Sequence, residues 1–438
     1  MIRSFSIFLL VAPALAQAAD PSISASSLTR DVLAYLTQQQ VSATDGDYVA
    51  GEWRSQVYST ALPALVGVGH ISGDEEPTAF ATAGVVNELE MIRAVRPDLT
   101  PIVTPLMKKA IPSFERYREG PLFNFYPPMI SNGVRIHQPA SMHLTKMWKG
   151  ITNIPQDADT TSTVYTAKHF TALLDGRSEV IPASVTHSLE NFRDVNRQSH
   201  WYDKKIGLEN TGAFLTWQMD ENDPNMPQHF TENPTEGVRI PFKRNDVDCV
   251  VNMNVLRMMA VNKSSNTAGR EAACRMGAEI VKNENYAKCG IYYPNTYNFA
   301  YSASQADEAG ETCMRPYASR MVDFILRNQT ADGGWFNQGN SLEKNDRVQS
   351  TAFAMLSLER FASTNPAARA AIRKGVHFLY GQMRRSQGGG LYWPGETFFT
   401  ATAIARSLVD WRSDAFTTVV ALAAIVRAEK TLGGQIAQ

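Results

Sequence analysis

The chain of 438 residues has no surplus of charge: 42 Lys and Arg stand against 43 Asp and Glu, a formal net charge of −1. With no basic stripe along it, nothing draws it to nucleic acid or to an anionic membrane surface. Beyond residue 15 it lacks any apolar run approaching the roughly 20 residues that cross a bilayer, so no stable membrane span is expected. It lacks CxxC and HxxxH spacings, and with them the usual ligand patterns for zinc. Its eight histidines, His70, His137, His143, His169, His187, His200, His229 and His377, form neither a triad nor a metal pattern and are read as structural or surface residues. Neither metal nor cofactor is expected. Cysteine is scarce too: Cys249, Cys274, Cys289 and Cys313 are the full set. Three pairings are open to them, and Cys274–Cys289 with Cys249–Cys313 is the expected one, provided the chain meets an oxidising compartment.

The first residues supply that compartment. Arg3 precedes an apolar run from Phe5 to Leu15, and Ala16-Gln17-Ala18-Ala19 offers small residues at the spacing a signal peptidase accepts. Residues 1–19 are therefore read as a cleaved signal peptide and the protein as periplasmic or secreted. Residues 20–438 are read as one domain.

Alternating strand patterns are scarce as well, whereas apolar residues at helical spacing recur over Thr78–Arg93, Ser162–Leu174, Val250–Val261, Met321–Leu326, Ala352–Phe361 and Phe416–Val426. Stacking these segments exposes a weak repeat. One half ends in Gln and a later Gly-x-Trp, as in Gln329…Gly333-Gly-Trp335, in Gln382 with an enlarged loop before Trp393, and in a degraded copy, Gln38…Gly51-Glu-Trp53. The other half opens on Asp and runs into a helix of small and apolar residues, at Asp159, Asp248, Asp346 and Asp414. Units of outer helix, loop and inner helix bury a continuous face only by stacking, and a closed ring leaves no unpaired ends. The expected fold is all-α: an α/α toroid of about six helical hairpins in a closed ring, joined by long loops.

The Gln…Gly-x-Trp repeats resemble the QW repeats of the terpenoid cyclase and protein prenyltransferase superfamily. The resemblance is clear over roughly residues 320 to 430, extends to 150–170, and is thin between 200 and 310. It implies that Gln329, Trp335, Gln382 and Trp393 tie outer helices to their loops. A second stretch, Asp157-Ala158-Asp159-Thr160-Thr161-Ser162, resembles the DxDD acid motif of class II terpene cyclases in its DxDTT form. That resemblance implies Asp159 as the general acid that protonates an alkene or epoxide, with Asp157 as its supporting carboxylate. Thr160 stands where many members carry a third Asp. No DDxxD motif of the class I enzymes is present, so ionisation of a diphosphate is not indicated.

Protonating a carbon–carbon double bond takes a strong acid in a dry pocket that still holds its proton. Burial raises an aspartate from its solution pKa of about 3.9. A helix amino end and the hydroxyls of Thr160, Thr161 and Ser162 are expected to stabilise the conjugate base. Asp157 is expected at the cap, accepting backbone N–H bonds. The same residues also suit the start of any helix, and Asp248, Asp346 and Asp414 share the phase of Asp159, so capping alone stays open as its role. Loop aromatics, with Thr160, supply the substrate-binding candidates Trp217, Tyr293, Trp335 and Trp393, whose faces stabilise carbocations or stack on sugars. Three functions are thus open. The first is a class II-type terpenoid cyclase or isomerase acting on an isoprenoid or lipid olefin. The second is a secreted glycan-active lyase or hydrolase, with paired carboxylates drawn from Asp159, Asp248, Glu52 and Asp346. The third is a non-catalytic binding module.

Overall fold

The structure is a computed structural model and describes residues 25–59, 72–131, 133–139, 153–178, 181–222, 240, 244–263, 267–338, 346–401 and 409–434. The expected signal peptide lies outside the described residues. Among those described, the chain forms α1 (Ala25–Gln39), α2 (Ala79–Val95), α3 (Thr100–Ala110), α4 (Ala158–Leu173), α5 (Ala183–Asn191), α6 (Trp201–Ile206), α7 (Cys249–Val261), α8 (Ala268–Lys282), α9 (Asn298–Ala309), α10 (Ala318–Arg327), α11 (Val348–Ala362), α12 (Pro366–Gln382) and α13 (Asp414–Leu432). None is long and apolar enough to cross a membrane.

Helices α2, α4, α7, α9, α11 and α13 each pack against the next, and α13 packs against α2. Their sequences explain the position. Small and apolar residues predominate in each except α9, and α13 is buried without a break from Ala415 to Val426, as a helix with no solvent face must be. Helices α1, α3, α8, α10 and α12 lie against this set. They keep a polar face: α10 buries Met321, Val322, Phe324 and Ile325 on one side only. One hydrophobic core runs through the described residues from Leu28 to Leu432.

Side-chain oxygens of Thr78, Asp157, Asp248 and Ser413 cap the starts of α2, α4, α7 and α13 by accepting backbone N–H bonds. This corrects the expected phase. Asp157, not Asp159, occupies in α4 the place Asp248 occupies in α7. Asp346 caps nothing and accepts from Thr397 N at 3.0 Å. Asp414 is the first residue of α13, behind its cap Ser413.

The Gln and Trp residues bind outer helices together. Trp335 Nε1 donates to Ile325 O at 2.7 Å and Trp393 Nε1 to Leu379 O at 2.8 Å, satisfying carbonyls near the ends of α10 and α12. Gln329 Nε2 donates both to Gly333 O and, across to α12, to Ala371 O, each at 2.8 Å. The degraded copy does the same with Gln40 rather than the expected Gln38: Gln40 Nε2 reaches Gly51 O at 3.0 Å and Leu106 O of α3 at 2.9 Å, and Trp53 Nε1 reaches Leu36 O at 2.8 Å. A Cβ on Gly333 would sit 2.5 Å from Lys374 O, and one on Gly51 2.1 Å from Lys109 O, so both glycines serve close approach to the next outer helix. Gln382 is exposed.

Strands are more numerous than the pattern suggests. β1 (Gln56–Ser59), β2 (Ser72–Glu75), β9 (Thr397–Ala401) and β10 (Val409–Arg412) form an antiparallel sheet in the order β2-β1-β10-β9, while β3 (Arg118–Glu119) with β4 (Leu122–Phe123), β5 (Met129–Ser131) with β6 (Val134–Ile136), and β7 (Arg384–Arg385) with β8 (Leu391–Tyr392) form two-stranded pairs. Trp411 pairs with Val57 on one side and Phe399 on the other. β10 leads directly into α13, and Glu396, just before β9, accepts from Val348 N and Gln349 N at 2.7 and 2.6 Å. The sheet therefore covers the end at which the inner helices begin. Each strand is too short for periodicity to reveal it.

The disulfides join Cys249 to Cys289 and Cys274 to Cys313, with Cα separations of 5.4 and 5.9 Å. The expected pairing, Cys274–Cys289 with Cys249–Cys313, is corrected. α8 returns alongside α7, so the chain after α8 arrives beside Cys249 at the start of α7. Cys274, in the middle of α8, is left to meet the segment that follows α9.

Candidate active site

The start of α4 is clamped between two loops. Asp157 forms a bridge with Trp217 and donates its N–H to Phe123 O at 3.4 Å, while Ala158 N donates to Thr216 O at 2.8 Å. Asp157 Oδ1 then accepts from Thr160 N at 2.5 Å, and its Oδ2 has no hydrogen-bond partner. With the cap filled by Asp157, the carboxyl of Asp159 is released for other work. Buried at 5% exposure, it accepts from Asn254 Nδ2 of α7 at 2.7 Å and from the Tyr293 hydroxyl.

The expected hydroxyl support is absent. Ser162 Oγ donates to Asp159 O at 2.9 Å, Thr161 Oγ1 accepts from Phe123 N at 3.0 Å, and buried Thr160 Oγ1 has no partner. The two donors that hold the Asp159 carboxylate come instead from α7 and from the segment before α9.

Burial is the leading influence on both acids. It raises Asp159 to about 6, with the Asn254 and Tyr293 bonds pulling the other way. It raises Asp157 to about 8, and the Asp159 charge adds to that rise. Asp157 therefore keeps its proton to higher pH than Asp159 does. Tyr293 is pushed well above the ordinary phenol range by burial and by Asp159, so it remains a donor.

The Asp248 carboxyl is taken up by backbone donors. It accepts from Val250 N at 2.7 Å, Val251 N at 3.1 Å and Tyr292 N at 3.0 Å, and so pins the loop that carries Tyr293 to the start of α7. Burial raises it to about 7. Asp246 accepts from the Tyr292 hydroxyl at 2.6 Å and from Thr216 Oγ1 at 2.5 Å.

Two internal spaces adjoin the acid. The smaller is lined by Asp157, Asp159, Trp217, Tyr292, Phe125 and Phe399 among others. Its rings are packed: Tyr292 stacks on Phe399 at 5.5 Å, Phe125 stacks on Phe399 at 4.5 Å, and Trp217 meets Tyr292 edge-on at 5.7 Å. The larger, about 40 Å³, is lined by residues from every inner helix, including Phe80, Asn254, Tyr301, Phe353 and Phe416, and by Tyr293. Asp159 lines the smaller space and both its partners line the larger, so the carboxyl lies between them.

Of the sequence candidates, Asp157, Asp159, Thr160, Trp217 and Tyr293 come together here. Trp335 and Trp393 do not; they are fully buried ties of the outer helices. Glu52 is also elsewhere, accepting from Tyr117 Oη and, at 2.8 Å, from Val49 N. Sequence reading missed Asn254, Phe80 and the polar residues of the larger cavity. Asn254 did leave a signal, a polar residue inside the apolar run of α7, which reads as a group facing something other than core.

No protein-family model matches the sequence, and no curated protein matches it. Solved structures do match in fold. The type II terpene cyclase MstE from Scytonema in its apo form is 13% identical, with a TM-score of 0.54 over 93% of this chain and 99% of that one. A variant of the same cyclase in complex with geranylgeranyl dihydroxybenzoate is 12% identical, with a TM-score of 0.55 over 93% and 98%. A protein from Actinoplanes is 12% identical, with a TM-score of 0.51 over 94% and 100%. The mostly helical fold is thus that of type II terpene cyclases.

Proposed function

We propose that this chain is a class II-type terpenoid cyclase or isomerase that starts cyclisation of an olefinic isoprenoid by protonation. On this reading residues 20–438 form a single α/α toroid, exported by the signal peptide of residues 1–19 to the periplasm or beyond. Two disulfides suit such an oxidising compartment. The observation that carries the proposal is the release of Asp159 from helix capping: a buried carboxyl, held by two side-chain donors, beside a box of aromatic rings.

The chemistry follows from that setting. The Asp159 proton adds to one alkene carbon and leaves a tertiary cation on the other. The Asn254 amide and the Tyr293 hydroxyl stabilise the carboxylate left behind, and donors fixed in place before the charge appears lower the barrier most. Asp157, neutral up to about pH 8, places no second negative charge beside Asp159 and so leaves its acidity intact. The faces of Tyr292, Phe399, Phe125 and Trp217 attract the cation while the ring closes. Loss of a proton from carbon ends the reaction, and Asp159 is reprotonated for the next turnover. Buried carboxyls beside so small an internal space speak against an open glycan groove.

The test is incubation of the purified protein with squalene, farnesol, geranylgeraniol and their diphosphates, followed by product analysis by mass spectrometry. Cyclic products are expected from wild type and none from Asp159→Asn. Products that persist unchanged in the variant would remove Asp159 from the mechanism.

A further inference from the structure

The chain carries a second doubled acid, Asp246-Val247-Asp248, at the spacing of Asp157-Ala158-Asp159. In each pair one acid caps the helix that follows and the other is released from capping. In the first pair the trailing acid, Asp159, is the free one; in the second it is the leading acid, Asp246. Asp248 is spent on backbone donors. The chemistry above gives Asp246 no part.

The partners of Asp246 come from both sides of the acid. Its side chain is 3% exposed, with Oδ1 accepting from Thr216 Oγ1 at 2.5 Å and Oδ2 from Tyr292 Oη at 2.6 Å. Both lengths are those of a hydroxyl donating to a carboxylate. Its carbonyl also accepts from Thr216 N at 3.0 Å. Thr216 O in turn receives Ala158 N at 2.8 Å, so Thr216 holds the turn that opens α4 and carries Asp159. Asn245 fixes the same segment, accepting from Trp217 N at 2.9 Å and donating to Trp217 O at 2.7 Å. On the other side, Tyr292 immediately precedes Tyr293. Its hydroxyl accepts from Trp217 Nε1 at 3.0 Å, its N–H donates to Asp248 at 3.0 Å, and its carbonyl accepts from Thr400 N at 2.9 Å. Asp246 thus joins the segment that places the acid to the segment that delivers its donor.

We propose that Asp246 is a positioning residue for the acid: by tying Thr216 to Tyr292 it fixes the Tyr293 hydroxyl on the Asp159 carboxyl. The proposal rests on the cyclase reading only for what Asp159 does with its proton.

The sign of one measurable change separates this role from a plain effect of charge. Asp203 and His200 face Asp246 from the start of α6 and Asp248 from the start of α7, with Arg197 3.7 Å from Asp203. Asp159 has Asp157 and Asp248 as its charged neighbours, and it responds to burial and to its bonds from Asn254 and Tyr293. Loosening Tyr293 removes a bond that holds Asp159 down, so Asp159 titrates at higher pH. Deleting a nearby negative charge, with Tyr293 left in place, makes it titrate at lower pH.

Carbon-13 NMR titration of the purified chain, labelled at the aspartate carboxyls, reads this without turnover; the Asp159 signal is identified by its loss in Asp159→Asn. The Asp159 midpoint is expected to rise by about one pH unit in Asp246→Ala, as weakening a bond to a charged group warrants. It should rise in Tyr292→Phe as well, and in the double variant no further than in Asp246→Ala alone. Thr216→Ser keeps the hydroxyl and should leave the midpoint in place. Asp246→Asn keeps the size with one acceptor oxygen fewer, shifts in the same direction, and decides the matter should the alanine variant fail to fold. A midpoint that falls or stays put in the Asp246 variants overturns the proposal. So does a double variant whose shift is the sum of the two, or a Thr216→Ser shift as large as that of Asp246→Ala. The expected rise in a chain that cyclises no isoprenoid would instead sink the cyclase reading and leave Asp246 its positioning role.

Discussion

The Tyr293 hydroxyl donates to Asp159 from a position 134 residues further along the chain, and the loop that carries it is pinned to the start of α7 by Asp248. The pair makes Asp159 a buried acid whose conjugate base already has its donors in place.

The pH dependence of that acid has a definite sign. Asp159 titrates at about 6 and is reactive when protonated, so kcat/KM is expected to fall as pH rises through about 6. Tyr293→Phe removes a bond that holds the pKa down. The falling limb should therefore move to higher pH while the maximal rate drops by about 100-fold. A limb that stays where it was would show that this bond does not tune the acid.

Asp157 separates capping from proton transfer. Asparagine caps helices as well as aspartate does, and alanine costs about 1 kcal/mol. Asp157→Asn is expected to keep both stability and, since the native group is neutral below about pH 8, turnover within a few-fold of wild type. Asp157→Ala should lower thermal stability. A loss in Asp157→Asn as complete as in Asp159→Asn would assign Asp157 a part in proton transfer.

Trp335 should matter for stability alone. Trp335→Phe removes the indole bond to the Ile325 carbonyl, which keeps its bond from Asn328 N at 3.2 Å, so the cost is roughly 1 kcal/mol, while product distribution should not change. Denaturant unfolding and product analysis on the same preparation check both halves.

Stability should decline toward alkaline pH. Burial raises Asp157 and Glu396 to about 8, and Glu88, Asp248 and Asp410 to about 7. A carboxyl raised in the folded state contributes fully below its unfolded pKa of about 4 and loses that contribution as pH rises through the folded value. Thermal unfolding should therefore occur at a lower temperature at pH 8 than at pH 5. An equal or higher midpoint at pH 8 would mean that these groups are better solvated than their burial implies.

Peptide mapping under non-reducing conditions should recover Cys249–Cys289 and Cys274–Cys313. Removing either bridge is expected to cost about 2–4 kcal/mol. Loss of Cys249–Cys289 should also reduce turnover, because Cys249 N donates to Cys289 O at 3.2 Å at the base of the Tyr293 loop.

Much of this molecule was legible along the chain. Helical periodicity marked all six inner helices except α9, whose residues from Asn298 to Ala309 mix aromatic and polar groups because α9 faces the cavity. The Gln…Gly-x-Trp spacing exposed the outer ties, since both partners lie within a few turns of one another. The copy ending at Trp53 was read with Gln38 rather than Gln40, because only the reach to Leu106 distinguishes the two.

What the local sequence determined was where helices start, which faces are apolar, and that an acid pair opens α4, because capping, periodicity and turn chemistry act over a few residues. The tertiary structure decided which acid is free. Asp157 and Asp159 differ little in sequence context, and their roles separate only when Asn254 and Tyr293 arrive from distant segments to hold one of them. The disulfide partners were decided in the same way, by contacts between groups that the chain itself keeps far apart.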